Sequence, residues 1–184
     1  MRRYWFPKRY AHLAARLRVP GGFALAAAFA WLSEPAAFSL AVGIPVAALG
    51  LLLRGWAAGH LAKNERLATS GPYAYTRNPL YLGTLVVALG LAIASRRWLL
   101  AVLFAAVFGL LYLPVIEREE QHLRRLFPAY DDYARRAPLL WPRRGRQPAR
   151  GDGFRWQLYF KNQEYQPLLG FLCGILFLAW KVWH

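Results

Sequence analysis

The stretch WLLAVLFAAVFGLLYLPVI, residues 98–116, carries no charge, and the polar run EREEQHLRRL, residues 117–126, follows it without a break. Crossing the hydrocarbon core of a bilayer takes about 20 residues of helix. The stretch therefore reads as a membrane helix that leaves the bilayer at Glu117 and continues past it, with Leu123, Leu126 and Phe127 as an apolar stripe. Four further apolar runs are marked outward from it: 19–32, which stops at Ser33-Glu34-Pro35, then 36–53, 80–94 and 167–183. Runs 36–53 and 167–183 meet the length requirement. Runs 19–32 and 80–94 are short, and flanking Trp, Tyr and Arg side chains extend them by snorkelling to the interface. The first two runs are expected to form a tight helical hairpin turned at Glu34-Pro35. The predicted fold is all-α, a multi-span transmembrane bundle of about five helices.

Composition agrees with that solvent. Of 184 residues, 57% are hydrophobic and only 18% charged, less charge than a soluble domain of this size needs to coat its surface. The net charge of +15 suits either nucleic acid or an anionic membrane surface. Here the basic residues alternate with apolar runs, where they act as topology signals, and nucleic acid is not the expected partner. The N-terminal arm is basic, as are the loop holding Arg54, Lys63, Arg66 and Arg77 and the long stretch after Ile116. Placing these inside gives an integral, multi-pass protein with a cytoplasmic N-terminus and an external C-terminus; a bacterial inner membrane is the expected location. The N-terminus does not read as a cleavable signal peptide. Seven of the nine acidic residues lie between Glu117 and Glu164, on the same cytoplasmic side as the basic segments. The single cysteine, Cys173, sits in an apolar run and reads as a packing or lipid-facing residue; no zinc or other metal site is expected.

Two cytoplasmic stretches carry the polar chemistry. In the first, LATSGPYAYTRNPLYLG at residues 67–83, Gly71-Pro72 marks a turn and Asn78-Pro79 a helix start, Asn being a good N-cap and Pro suiting the first helical position. A helix opening there, with Arg77 beside it, presents unpaired N–H groups to an anionic ligand. Tyr73, Tyr75 and Tyr81 surround it with aromatic surface, which a plain interfacial belt would also do. In the second, EREEQHLRRLFPAYDDY at residues 117–133, Glu117 and Glu120 share a helix face just beyond the bilayer. Carboxylates there can accept hydrogen bonds from ribose hydroxyls or balance a sulfonium; the plainer alternative is a surface pair of Glu120 with Arg124.

The order Gly71-Pro-Tyr73, then Arg77-Asn-Pro-Leu-Tyr-Leu-Gly83, then Glu-Glu-x-x-Leu-x-x-x-Phe-x-x-x-x-x-Tyr at 119–133 resembles the integral-membrane methyltransferases. That group includes isoprenylcysteine carboxyl methyltransferase and the phospholipid N-methyltransferases. Ala137-Pro138 and Trp141-Pro142 resemble its closing prolines, so the likeness covers residues 54–142. Two positions depart: Asn78 stands where many members have His, and Phe127-Pro128 where Phe-Gly is frequent. Residues 1–142 are expected to form the methyltransferase core, and 143–184 a basic linker, an amphipathic segment and an extra membrane helix that acts as an anchor or a lid.

The resemblance implies S-adenosyl-L-methionine as cofactor, held in a cytosolic pocket between the two stretches. Leu67 and Ala68 would offer backbone contacts, Gly71 and Tyr73 would line the pocket, and Asn78, Pro79 and Tyr81 would stand at the helix start. Glu119 and Glu120 would fix the cofactor's polar end. It also implies a lipid or a small prenylated molecule as methyl acceptor. An isoprenylcysteine-type carboxylate is already ionised and needs no base, and Arg77, or Arg118, would hold it. A phospholipid amine would need one, which makes Glu117, Tyr81, His60 and His122 candidates. A nicotinamide-dependent reductase of related fold and a membrane scaffold are the alternatives from other classes.

Overall fold

In a computed structural model of the chain, which describes residues 5–142 and 153–183, the described residues form helices and no strand. Helix α1 spans Lys8–Leu32, α2 Ala37–Ala58, α3 Pro79–Ser95 and α4 Trp98–Leu126. Two short helices, α5 (Tyr130–Arg136) and α6 (Trp156–Lys161), precede α7 (Tyr165–Trp183). Four of these, α1, α2, α4 and α7, are long and apolar enough to cross a membrane; α3, with 17 residues, is a shorter apolar helix. Arg2, Arg3 and the basic linker expected at 143–152 fall outside the described residues.

The pairing of α2 with α3 follows from small residues. Gly43, Ala47 and Gly50 recur at helical spacing on one face of α2, and Gly83, Gly90 and Ala94 do so on α3. A Cβ placed on Gly90 would stand 2.3 Å from the Ala47 backbone nitrogen, and one on Gly50 would stand 2.6 Å from the Gly83 carbonyl. Gly43 meets Gly90 and Gly50 meets Gly83, so the helices run antiparallel at the same depth. Lipid tails give apolar helices no reason to associate, and close backbone approach supplies the attraction instead. Ser39 Oγ donates to the Ala94 carbonyl at 2.9 Å at one end of this seam.

Two expectations about the first helix are corrected. It begins at Lys8, not near residue 19, because residues 8–18 are mostly good helix formers, and the helix runs on through Pro20. Arg16 and Arg18 are therefore helical. Nor does α1 pair with α2 as a tight hairpin. It packs along α4: Phe29 stacks on Phe104 with centroids 6.2 Å apart, and Gly21 faces the Leu111 side chain. The glycine face of α2 is already taken by α3, so α1 finds its partner elsewhere, and a space opens between α1 and the α2–α3 pair.

Helix α4 contains one π-helical turn, Phe108–Tyr112. Pro114 follows it and has no N–H to give the preceding turn, which leaves a carbonyl without an intrahelical donor. The Tyr10 hydroxyl donates to the Leu110 carbonyl at 2.7 Å. That bond satisfies the backbone and joins α1 to α4.

The ends of the bundle are distinct. At one end Lys181 Nζ donates to the Ala30 and Ser33 carbonyls at 3.0 and 2.6 Å, Glu34 N–H bonds the Ser95 carbonyl, and Arg97 pairs with Glu34. At the other end lie the start of α1, the 59–78 loop, the last turns of α4, and α5. The start of α1 and the last turn of α7 thus lie at opposite ends of the bundle.

Candidate functional site

The residues of the two polar stretches converge because hydrogen bonds to backbone carbonyls stitch them together. Arg77 N–H donates to the Pro138 carbonyl at 2.9 Å, Thr76 Oγ1 to the Leu139 carbonyl at 3.2 Å, and the Tyr133 hydroxyl to the Tyr73 carbonyl at 2.8 Å. Asn78 occupies the N-cap position of α3, but its side chain makes no cap hydrogen bond; its Nδ2 donates instead to the Leu139 carbonyl at 3.1 Å. The expected capping role is corrected to one of docking the closing prolines against the start of α3. Gly71, at φ +57°, adopts a conformation that suits glycine, and a Cβ there would lie 2.6 Å from the His60 ring.

A cavity of about 990 Å³ opens at this end and runs between α1, α3 and α7 into the bundle. It reaches the upper end of the roughly 300–1,000 Å³ typical of small-molecule sites. Its mouth is polar, with Arg54, Arg77, Glu119, His122 and Glu164, and its far end is apolar, with Phe29, Leu91, Phe104 and Phe177. A space of this kind suits one ligand with a charged head and a hydrocarbon tail, or two ligands meeting where the linings change.

The structure brings Leu67, Ala68, Tyr73, Arg77, Tyr81 and Glu119 to the wall of this cavity. Most of the remaining named residues stand behind the wall. Glu120 forms an ion pair with Arg77, Nε to Oε1 at 3.2 Å, rather than with Arg124, which pairs with Asp131. Glu117 accepts the backbone N–H groups of Trp5 and Phe6 at 2.6 and 2.9 Å, so its carboxylate ties down the N-terminal arm. Gly71, Asn78 and Pro79 support the turn and the helix start. His122 lines the cavity, whereas His60 packs behind it against Ser70, Trp56 and Phe154.

Arg77 has the most telling surroundings. Its side chain is only 9% exposed, and although Glu120 balances its charge at ion-pair distance, Nε and Nη1 are both buried with no hydrogen-bond partner, as is Glu120 Oε1. Leaving a buried donor unpaired costs about 1–3 kcal/mol, and more for a charged group. A guanidinium held in that state is poised for an anionic ligand. Burial pushes the hydroxyls of Tyr73, Tyr130 and Tyr133 well above the ordinary tyrosine range, so they stay protonated and act as donors. The Tyr81 hydroxyl lies between the Glu119 carboxylate and the Arg18 guanidinium.

Four residues of this region escape a reading of sequence alone. Arg54 donates through Nε and Nη2 to both oxygens of Glu164, at 3.1 and 2.8 Å, and through Nη1 to Thr84 Oγ1 at 2.6 Å. As topology signals Arg18 and Arg54 would face lipid headgroups; both instead line the cavity. Helix phase carried a clue for Arg54, which continues the face of Gly43, Ala47 and Gly50 that points at α3. Glu164 had no such signal. Its segment is part of the site nonetheless: Asn162 Nδ2 donates to the Ala58 and Leu61 carbonyls at the end of α2, at 3.0 and 2.9 Å, and α7 forms one cavity wall. Among the described residues no group of three or more His, Cys, Asp or Glu side chains could hold a metal ion.

Against known proteins, the phospholipid methyltransferase family model matches residues 38–130, which run from α2 to the start of α5. The nickel-cobalt-cadmium resistance protein NccN of Alcaligenes xylosoxydans xylosoxydans is 37% identical over 115 residues, 61% of this chain and 53% of that protein. The cobalt-zinc-cadmium resistance protein CzcN of Cupriavidus metallidurans is 38% identical over 104 residues, 55% of this chain and 47% of its own length. A protein-S-isoprenylcysteine O-methyltransferase of Schizosaccharomyces pombe is 27% identical over 137 residues, covering 71% of this chain and 58% of the yeast protein. The chain thus spans about half the length of the two resistance proteins. No solved structure matches it significantly.

Proposed function

Since the chain belongs to the phospholipid methyltransferase family, we propose that it is an S-adenosylmethionine-dependent membrane enzyme that methylates the carboxylate of a lipid-like, isoprenylcysteine-type acceptor. The observation that carries this reading is the buried Arg77 N–H without a partner, on a cavity wall where polar lining gives way to apolar. The residues present fit the cofactor: Glu119 offers a carboxylate to its hydroxyl or ammonium groups, and Leu67, Ala68, Tyr73 and Tyr81 supply backbone and aromatic surface. S-adenosylmethionine would contribute a methyl group on a positively charged sulfur, open to in-line displacement. Arg77 holds the acceptor carboxylate by two N–H groups, and Glu120 keeps the guanidinium plane oriented. An ionised carboxylate needs no base, which suits a site whose buried tyrosines remain protonated. Positioning then supplies most of the rate, up to about 7–11 kcal/mol for well-oriented partners.

Calorimetric titration of the detergent-purified chain with S-adenosylmethionine tests the cofactor. Glu119→Gln keeps the size and removes the charge, and should weaken binding by about 1.5–3 kcal/mol, the worth of a charge-assisted hydrogen bond. Equal affinity in the two proteins would remove Glu119 from the cofactor site. Methylation of an N-acetyl-S-farnesylcysteine carboxylate supports the acceptor class; methylation of a phospholipid amine in its place overturns it.

The mouth of the cavity faces the cytoplasm in this reading, because the basic loops flank it and the cofactor is cytosolic. Reporter fusions after Trp141 and after His184 should then report cytoplasm and exterior respectively. A cytoplasmic report from both would refute the orientation. The two resistance proteins carry a second reading, in which the same chemistry serves tolerance of nickel, cobalt or cadmium. A strain lacking the protein would then grow less well on those metals, and unchanged growth would dismiss it.

A further inference from the structure

The apolar half of the cavity ends on a floor. Phe29 of α1 and Phe104 of α4 are stacked there, and Leu91 of α3 and Phe177 of α7 complete it. Directly beneath lie Ala94, Leu100 and Leu178, at 1%, 0% and 0% exposure, so the floor rests on a closed core and has no room to sink. The walls above are different. Cβ atoms added to Gly22, Gly170 and Gly174 would meet nothing within 4 Å, and all three glycines line the cavity. The space is therefore open along its sides and shut at its base.

Its depth can be read from α3. Tyr81 stands at the polar end and Leu91 at the floor, ten residues apart, or roughly 15 Å at the rise of an α-helix. That is about half of the ~30 Å hydrocarbon core. One hydrocarbon chain drawn from a single leaflet would fill this depth with its head at the unpaired Arg77 N–H. A longer chain has to fold back or leave its end outside.

We propose that Phe29, Phe104 and Phe177 form a ruler that sets which chain length of acceptor the protein binds. The inference rests on the lipid-like acceptor proposed above and adds the part of the acceptor that is selected. The charged head is fixed at Arg77 and the tail end at the phenylalanine floor, so the distance between the two sets the fit. Each added isoprene unit strengthens binding until the floor is reached, after which it adds nothing or weakens it.

Binding alone tests this, without turnover. N-acetyl-S-geranyl-, S-farnesyl- and S-geranylgeranylcysteine are titrated into the 184-residue chain in nanodiscs and followed by tryptophan fluorescence. Affinity should rise from geranyl to farnesyl and level off or fall at geranylgeranyl. Phe177→Ala deepens the space and should raise geranylgeranyl affinity about tenfold relative to geranyl. Gly174→Leu narrows the space from a position where a side chain meets nothing, so the fold survives, and it should penalise the two longer ligands while sparing geranyl. A common factor across all three ligands in both variants would overturn the ruler. Failure of the wild-type chain to bind any of the three would overturn both the ruler and the acceptor class. Length-selective binding without methyl transfer, when S-adenosylmethionine is added, would leave the ruler standing and remove the proposed function.

Discussion

A Gly90→Leu variant is expected not to yield a folded, monodisperse protein. The Cβ alone would stand 2.3 Å from the Ala47 nitrogen and 2.6 Å from the Gly43 carbonyl, both rigid backbone atoms, so no side-chain movement can relieve the clash. Overpacking of a core commonly costs about 1–3 kcal/mol, and a leucine wedged into a backbone seam belongs at or above the top of that range. The loss is compounded because α2 and α3 adhere through close approach and have no hydrophobic drive in lipid to fall back on. Gly109→Ala is the matched control, since a Cβ there meets nothing within 4 Å. Thermal unfolding in detergent with size-exclusion profiles measures both. A Gly90→Leu protein as stable as the Gly109→Ala protein would show that the α2–α3 seam is not what holds the bundle.

Arg77→Lys should fold and bind cofactor nearly as well as the parent yet turn over at least tenfold more slowly, about 1.4 kcal/mol of barrier. Lysine keeps the charge that balances Glu120, so the penalty of about 3–5 kcal/mol for stranding one member of a buried pair is avoided. What it loses is the planar fork: a guanidinium in an ion pair with Glu120 that still has Nη1 left for the acceptor. Glu120→Gln leaves the fork but releases its orientation, and should raise KM for the acceptor more than it lowers kcat. Full turnover by Arg77→Lys with an accepted substrate would make Arg77 a scaffold residue and no part of the reaction centre.

Much of the architecture is legible before any coordinates. The apolar runs locate the membrane helices because a bilayer demands a fixed length of uninterrupted helix. The convergence of 71–83, 119–133 and the prolines near 138 follows from their common side of the membrane. Choice of partner is harder to read. The glycines of α2 and α3 are visible in the sequence, yet their effect on α1, which they displace onto α4, depends on three helices at once. Glu117 and Glu120 lie three apart on one helix face, and one holds the N-terminal arm while the other holds Arg77; spacing alone cannot assign partners a hundred residues away. The part played by Asn162 and Glu164 was least visible, because a short polar segment ahead of a last apolar run looks the same whether it tethers or merely connects.

Arg54 has a consequence for how the molecule is made. Its guanidinium joins α2 to Thr84 on α3 and to Glu164 just ahead of α7, so its partners are synthesised thirty and one hundred and ten positions after it. The hairpin of α2 and α3 can close once residue 95 has left the ribosome, with Thr84 the first partner to arrive. The charge lacks its carboxylate partner until the segment ahead of α7 is in place. Glu164 is thus a late-arriving counter-ion, and the cavity gains its fourth wall in the same event. A chain interrupted before that point has the α2–α3 seam but lacks the wall that α7 gives the cavity.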